Sequence, residues 1–298
     1  MAAFKSTQAE RLFTVAALLL LFSSSCASAP RGASQARRIG EFVPQWRELT
    51  VGLDFTSGKI RHPRLEFWAL RADLTDKNIE IVVNDSESDE NWPAGTIPAL
   101  TVSDFAARYG CIAAINAGPF SPVSDKTGEM RILTGIFISN GRPVSPPVSR
   151  YDCLVFYDDG RAAVLSQAEL AHNDGIRHAL GGFFTVLDGG RLPERSAESA
   201  KIRHPRSAAA VSGGGSVLYL LVVDGRRMGS IGATESETGL LLRALGSESG
   251  LLMDGGGSSA LVLERDGRIR PVNKPVHGGI AGRERAVATC IGVRRTAL

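Results

Sequence analysis

Asp254 is followed by Gly255, Gly256, Gly257, Ser258 and Ser259, and this stretch lies between two apolar runs, residues 251–253 and 260–263. The pattern reads as strand, tight loop, strand. Glycines place no Cβ over the main chain, so successive amide N–H groups can turn toward an anion, a phosphate above all. A carboxylate beside such a loop can move a proton or answer a developing positive charge. A glycine cluster between strands is also the ordinary material of a turn. It is not a nucleotide-binding P-loop, because no lysine follows the glycines and no helix is signalled after them.

Further polar residues stand at the ends of apolar runs. Asp224-Gly225-Arg226 closes the run 217–223, which is apolar on both faces and reads as a central strand. Asn116 closes the run 111–115 and leads into Ala117 and Gly118, either as a site residue or as an Asx-turn. His204-Pro205-Arg206-Ser207 precedes the run 208–211. Between 224 and 254, Thr234 and Glu237 form a capping box, and the helix it opens runs to Gly246. Two strands joined through that helix by a right-handed crossover, if side by side, bring Asp224 and Asp254 to neighbouring strand ends.

These candidates need a scaffold, and the chain supplies many short strands. It has 298 residues, 43% of them hydrophobic and 22% charged, with 33 glycines and a net charge of +3. That composition suits a globular domain with a sizeable core and frequent turns. No basic block with interleaved aromatics occurs, so nucleic acid is not expected as a partner. Alternating or buried apolar runs predict strands at 49–55, 65–74, 79–83, 111–115, 132–139, 153–157, 162–165, 208–211 and 286–293, with a helix at 101–109 capped by Ser103. The expected class is α+β, a mixed, strand-rich arrangement of twisted sheets with a few helices in a single domain over 47–298.

Ahead of that domain, Lys5 and Arg11 precede an apolar run at 12–22, followed by small residues. Residues 1–29 are therefore expected to be a secretory signal peptide, and residues 30–46 a polar tether. Ser23-Ser24-Ser25-Cys26 is similar to a bacterial lipobox, with Cys26 as the lipid acceptor. The expected location is outside the cytoplasm, either periplasmic or as a surface or outer-membrane lipoprotein. Any membrane contact would come through that lipid. Of the 4 cysteines, Cys111, Cys153 and Cys290 remain, all in strand-like surroundings; buried thiols, with at most one disulfide, are expected.

Taken in order, the motifs resemble the phosphodiester glycosidase family. The family's succession is Asn-Gly-Gly-Phe-Phe, His-Pro-Arg-Thr, Asp-Gly-Arg, a helix, Asp-Gly-Gly-Gly-Ser-Ser and a late arginine. Here these are Asn116 to Phe120, His204 to Ser207, Asp224 to Arg226, Asp254 to Ser259, and Arg285. Ala117 and Pro119 depart from the first motif. The resemblance implies a sugar-1-phosphodiester substrate, with an N-acetylglucosamine-like sugar, cleaved to free sugar and a phosphomonoester.

On that resemblance, Arg206 and Arg285 contact the phosphate, with Gly255, Gly256, Gly257, Ser258 and Ser259 completing its cradle. Asp254, and after it Asp224, face the anomeric carbon. Asn116 binds sugar hydroxyls. No cofactor is required by the sequence, although two carboxylates leave a divalent metal open. Two rival readings are a non-catalytic module binding an envelope polysaccharide, and a phosphodiesterase cutting phosphorus–oxygen bonds. The latter is disfavoured because the 5 histidines show no grouping.

Overall fold

The run Val217–Val223 becomes the middle strand of a seven-stranded antiparallel sheet. In order, the strands are Arg47–Thr50, Leu53–Ile60, Leu65–Asp73, Val217–Val223, Arg206–Ser212, Ser249–Leu252 and Thr185–Leu187. The computed structural model describes residues 31–85, 94–170, 175–194 and 198–296. The expected signal peptide, Cys26 and most of the loop after the strand Ile79–Val83 lie outside the described residues.

Both faces of this sheet are covered, which explains why its central strand carries no polar side. On one face Leu218, Leu220, Val222, Ala209, Val211 and Leu251 pack toward a second sheet. That sheet runs Arg268–Pro271, Leu261–Arg265, Ala113–Asn116, Cys290–Arg295 and Ile79–Val83, all antiparallel. On the other face Leu221, Val223, Ala208 and Ala210 meet Leu241, Leu242 and Leu245 of the helix Glu235–Leu245. The helix begins at the expected capping box, with Thr234 and Glu237 bonded reciprocally, and ends at Gly246 in the left-handed region. A third sheet holds Arg142–Ser145, Phe137–Ser139, Ile176–Gly181, Asp152–Tyr157 and Ala162–Ser166. The fold is α+β.

Several local expectations are corrected. The helix Val102–Arg108 is capped by Thr101, whose hydroxyl accepts from Asp104 N at 3.0 Å. Ser103 instead binds Glu284 with its amide and its hydroxyl. The expected strand at 132–139 is two strands, Met130–Leu133 and Phe137–Ser139, separated at Gly135 with φ 100°. The segment 35–46 is not a free tether: Ile39 is fully buried, and Phe42 and Trp46 pack on the same core. Gly58 makes room for this, since a Cβ there would meet the Phe42 ring at 2.7 Å. Cys111, Cys153 and Cys290 are buried free thiols, and burial pushes Cys111 and Cys153 up to about 12.

The aspartate-bearing strands are not neighbours. Arg206–Ser212 lies between them, pairing with Val217–Val223 on one side and Ser249–Leu252 on the other. The two aspartates therefore leave the same edge of the sheet with the start of Arg206–Ser212 between them.

Candidate active site

Asp254 is placed by main-chain clamps on both sides. Its N–H donates to Ala117 O at 2.9 Å, and its carbonyl accepts from Asn116 Nδ2 at 2.6 Å. The preceding Met253 N donates to Ser207 O at 2.9 Å. Asn116 is buried, and its Oδ1 accepts from Ser207 Oγ at 2.7 Å and from Ala260 N at 3.2 Å. Asn116 thus ties three segments together and fixes the backbone of Asp254. Its amide is engaged by protein, where the sequence suggested sugar hydroxyls.

The glycines beyond Asp254 form a 3₁₀ turn, Gly256–Ser258. Gly256 N donates to Pro205 O at 2.8 Å, Ser258 N to Gly255 O at 3.2 Å, and the Gly255 amide serves the Asp254 carboxylate. The expected amide cradle is largely engaged in holding the turn itself. The glycines serve another purpose, the close approach of two guanidinium groups. A Cβ on Gly257 would lie 2.5 Å from Arg285 Nη2, and one on Gly256, at φ 64°, 3.0 Å from Arg226 Nη2. Arg226 is exposed and itself sits at φ 58°, uncommon for a residue with a side chain.

Arg285 is oriented by neutral groups. Its Nε donates to His277 Nδ1 at 3.1 Å and its Nη1 to Ser258 Oγ at 3.2 Å. Because Nδ1 accepts, the imidazole proton sits on Nε2, where it meets Asp125. Asp125 also binds Arg283. A chain of contacts therefore runs from Arg283 and Asp125 through His277, Arg285 and Ser258 to Asp254. Among the described residues neither Arg285 nor Arg226 forms an ion pair with a carboxylate within 4.0 Å, although Asp254 and Asp125 lie near enough to act on the Arg285 charge.

Asp254 is half-buried as a residue, its carboxyl is crowded by protein, and that desolvation pushes it up to about 6. Ser258, Arg285 and the Gly255 amide oppose the rise. His204, half-buried, is held below its usual range by burial and by the nearby Arg206 and Arg226 charges.

Two expected site residues stand elsewhere. Asp224 is buried to 1% exposure and its carboxylate is bound by Arg227, by Asn273 Nδ2 at 3.0 Å and by Lys274 N at 3.1 Å. Desolvation raises it, against those partners. It knits the end of Val217–Val223 to the 273–274 loop, with no free face for a substrate. Arg206 is also buried: its Nε donates to Ala233 O at 3.0 Å and Nη2 to Ile202 O at 2.9 Å. Strand alternation sends Arg206 to the helix side and Ser207 to the Asn116 side. Ser259 Oγ is buried without a partner among the described residues.

Arg226, His277 and Asp125 were missed as site residues. Arg226 was visible within Asp-Gly-Arg but carried no assigned role. His277 and Asp125 are 152 positions apart, and nothing in their spacing joins them. Among the described residues no three His, Cys, Asp or Glu side chains converge as a metal-binding group.

A family model described as phosphodiester glycosidase matches residues 109–294. The chain belongs to the phosphodiester glycosidase family. The match contains every element that builds the Asp254 site. Family membership supports a glycosidase-type function and leaves catalytic activity and substrate open. The chain is similar to the SPbeta prophage-derived uncharacterized protein YomE of Bacillus subtilis (strain 168), at 28% identity over 177 residues. That alignment covers 57% of this chain and 27% of the relative's length.

The fold is shared with the catalytic domain of zebrafish N-acetylglucosamine-1-phosphodiester alpha-N-acetylglucosaminidase, solved in a form auto-inhibited by its pro-peptide. The TM-score is 0.63 at 16% identity, over 86% of this chain and 89% of that one. A hypothetical protein from Synechocystis shares it at TM-score 0.61 and 15% identity, over 84% of this chain and 63% of that one.

Proposed function

We propose that this phosphodiester glycosidase family member hydrolyses a sugar-1-phosphodiester outside the cytoplasm, releasing free sugar and a phosphomonoester. The observation that carries the reading is a half-buried aspartate, raised to about 6, at a glycine turn that two guanidinium groups, Arg285 and Arg226, closely approach. Phosphate is a good leaving group, so a second carboxyl acting as acid is unnecessary here, in contrast to ordinary glycosides. Asp254 takes a proton from water as the water oxygen bonds to the anomeric carbon. The bond from that carbon to the phosphate oxygen breaks with its electron pair on oxygen. Arg226 and Arg285 hold the phosphate and the charge it gains. A base titrating near 6 is matched to work close to neutral pH.

Arg206, Asp224 and Asn116 act indirectly on this account, by fixing the three strand ends from which Asp254 projects. An N-acetylglucosamine-like sugar is favoured by the family's motif order and by the fold shared with the zebrafish enzyme's catalytic domain. Export rests on Lys5, Arg11 and the apolar run at 12–22, and a lipid on Cys26 would anchor the mature protein.

The test uses purified protein lacking residues 1–29 with 4-nitrophenyl or uridine-diphosphate conjugates of N-acetylglucosamine 1-phosphate. Free sugar from the native enzyme and its loss in Asp254→Asn support the assignment. Equal release by both removes Asp254 from the chemistry.

A further inference from the structure

A second electropositive feature lies on the edge hairpin of the site's own sheet. Arg265 ends the strand Leu261–Arg265 and stands directly opposite Arg268 of the strand Arg268–Pro271. Arg270 lies two residues on from Arg268, on the same face of that strand. The three arginines, with Asp266, Pro271 and Val272, line a hollow of about 410 Å³. All three are exposed and, among the described residues, none has a carboxylate partner within 4.0 Å.

Like charges held opposite one another across strands are destabilising. The nearby Glu264 does not relieve them, being bound to Arg295 at 3.4 Å and to Gly267 N at 3.0 Å. Asp266 lines the hollow beside three guanidinium groups, and Asp104 and Glu264 lie along the adjoining groove that Arg268 and Arg270 also line. One charged side chain would guard an edge strand against pairing; three arginines converging on one concavity exceed that need.

Both ends of the hairpin return to the loop that follows Asp254. Val272 N donates to Leu261 O at 2.9 Å. Asn273 follows, bonded to Ser259 O at 3.0 Å, and then the exposed Lys274. From Ala260 to Arg265 the strand rises roughly 17 Å, farther than one glycosyl phosphate reaches. The chain thus carries the exposed Lys274 next to that loop, and Arg270, Arg268 and Arg265 farther along the hairpin.

We propose that the substrate is a polymer of phosphodiester-linked sugar units, cut at Asp254 while further phosphates of the same chain lie in the arginine hollow. This deepens the sugar-1-phosphodiester reading and rests on it for the cleavage step. The binding half stands separately, because the hollow is distinct from the residues around Asp254.

The probes are fluorescent poly(glycerol phosphate), as a single repeat and as an octamer. Multivalent contact should make the octamer bind about tenfold tighter or more than the single repeat. The Arg268→Gln, Arg270→Gln double variant should lose that advantage and keep native turnover of the 4-nitrophenyl substrate, which also reports folding. Three results overturn the proposal: no length dependence, an unchanged octamer affinity in the double variant, or an oligonucleotide of equal charge or phosphatidylglycerol vesicles binding as well as the octamer. Turnover of the small substrate without length dependence removes the polymer and spares the chemistry. Length-dependent binding without turnover does the reverse.

Discussion

Replacing Asp254 with Asn separates what the carboxylate does for catalysis from what it costs the fold. The carboxyl is raised from 3.8 to about 6, chiefly by desolvation. The folded protein therefore favours the neutral form, and this contribution is fully present below about pH 4 and lost as pH rises through 6. Each pKa unit is worth about 1.4 kcal/mol, and because the residue is only half-buried part of the shift is discounted, leaving about 2 kcal/mol. Asn keeps the shape and cannot ionise. Asp254→Asn should thus be more stable than the native protein at pH 8 by about 2 kcal/mol, or about 4–8 °C in Tm. The difference should shrink toward zero near pH 4. Thermal melts across pH 4–8 measure this, alongside hydrolysis, which should fall by about 10²–10⁴-fold. A variant that melts lower than native at pH 8, or equally at every pH, would refute the desolvated carboxylate.

Removing either arginine that faces the loop, Arg226→Ala or Arg285→Ala, should raise KM for a phosphodiester by about 10–100-fold while leaving Tm nearly unchanged, because each forgoes a charge-assisted contact. Asp125→Asn should loosen His277 and so Arg285; since the Arg285 charge lowers Asp254, the acidic limb of the pH–rate profile should move upward, and an unmoved limb would assign Asp125 a purely structural part. Asp224→Asn should destabilise by only about 1 kcal/mol, since Arg227 loses one carboxylate but keeps Glu66 while the desolvation of Asp224 is relieved, and should keep most of kcat at a temperature where it is folded. Gly257→Ala, whose methyl would collide with Arg285, should cut kcat/KM by about tenfold or more through misplacement of the guanidinium.

The residue pattern revealed the sheets well, because burial on one face or both writes itself into alternation. Val217–Val223 reads as central, and it is fourth of seven strands. Strand order was harder. Nothing local to Asp224 or Asp254 says that Arg206–Ser212 inserts between their strands, since pairing is decided by contacts far apart in the chain. The same strand shows why the surroundings of Arg206 were not legible. The His-Pro-Arg-Ser stretch does lie at the site, but only the parity of the strand decides that Ser207 meets Asn116 while Arg206 turns to Ala233. Asp224 was visible as a strand-end acid, and its partners at 273–274 were not. The Gly-Gly-Gly loop was located correctly, and its purpose shifted from offering amides to admitting side chains.

The central claim is that water attacks carbon at the Asp254 site, with phosphate leaving intact. Hydrolysis of an N-acetylglucosamine 1-phosphodiester in ¹⁸O-labelled water, followed by mass spectrometry of both products, examines this directly. The account requires the heavy oxygen in the released sugar and none in the phosphomonoester. Label in the phosphate would mean phosphorus–oxygen cleavage and contradict it.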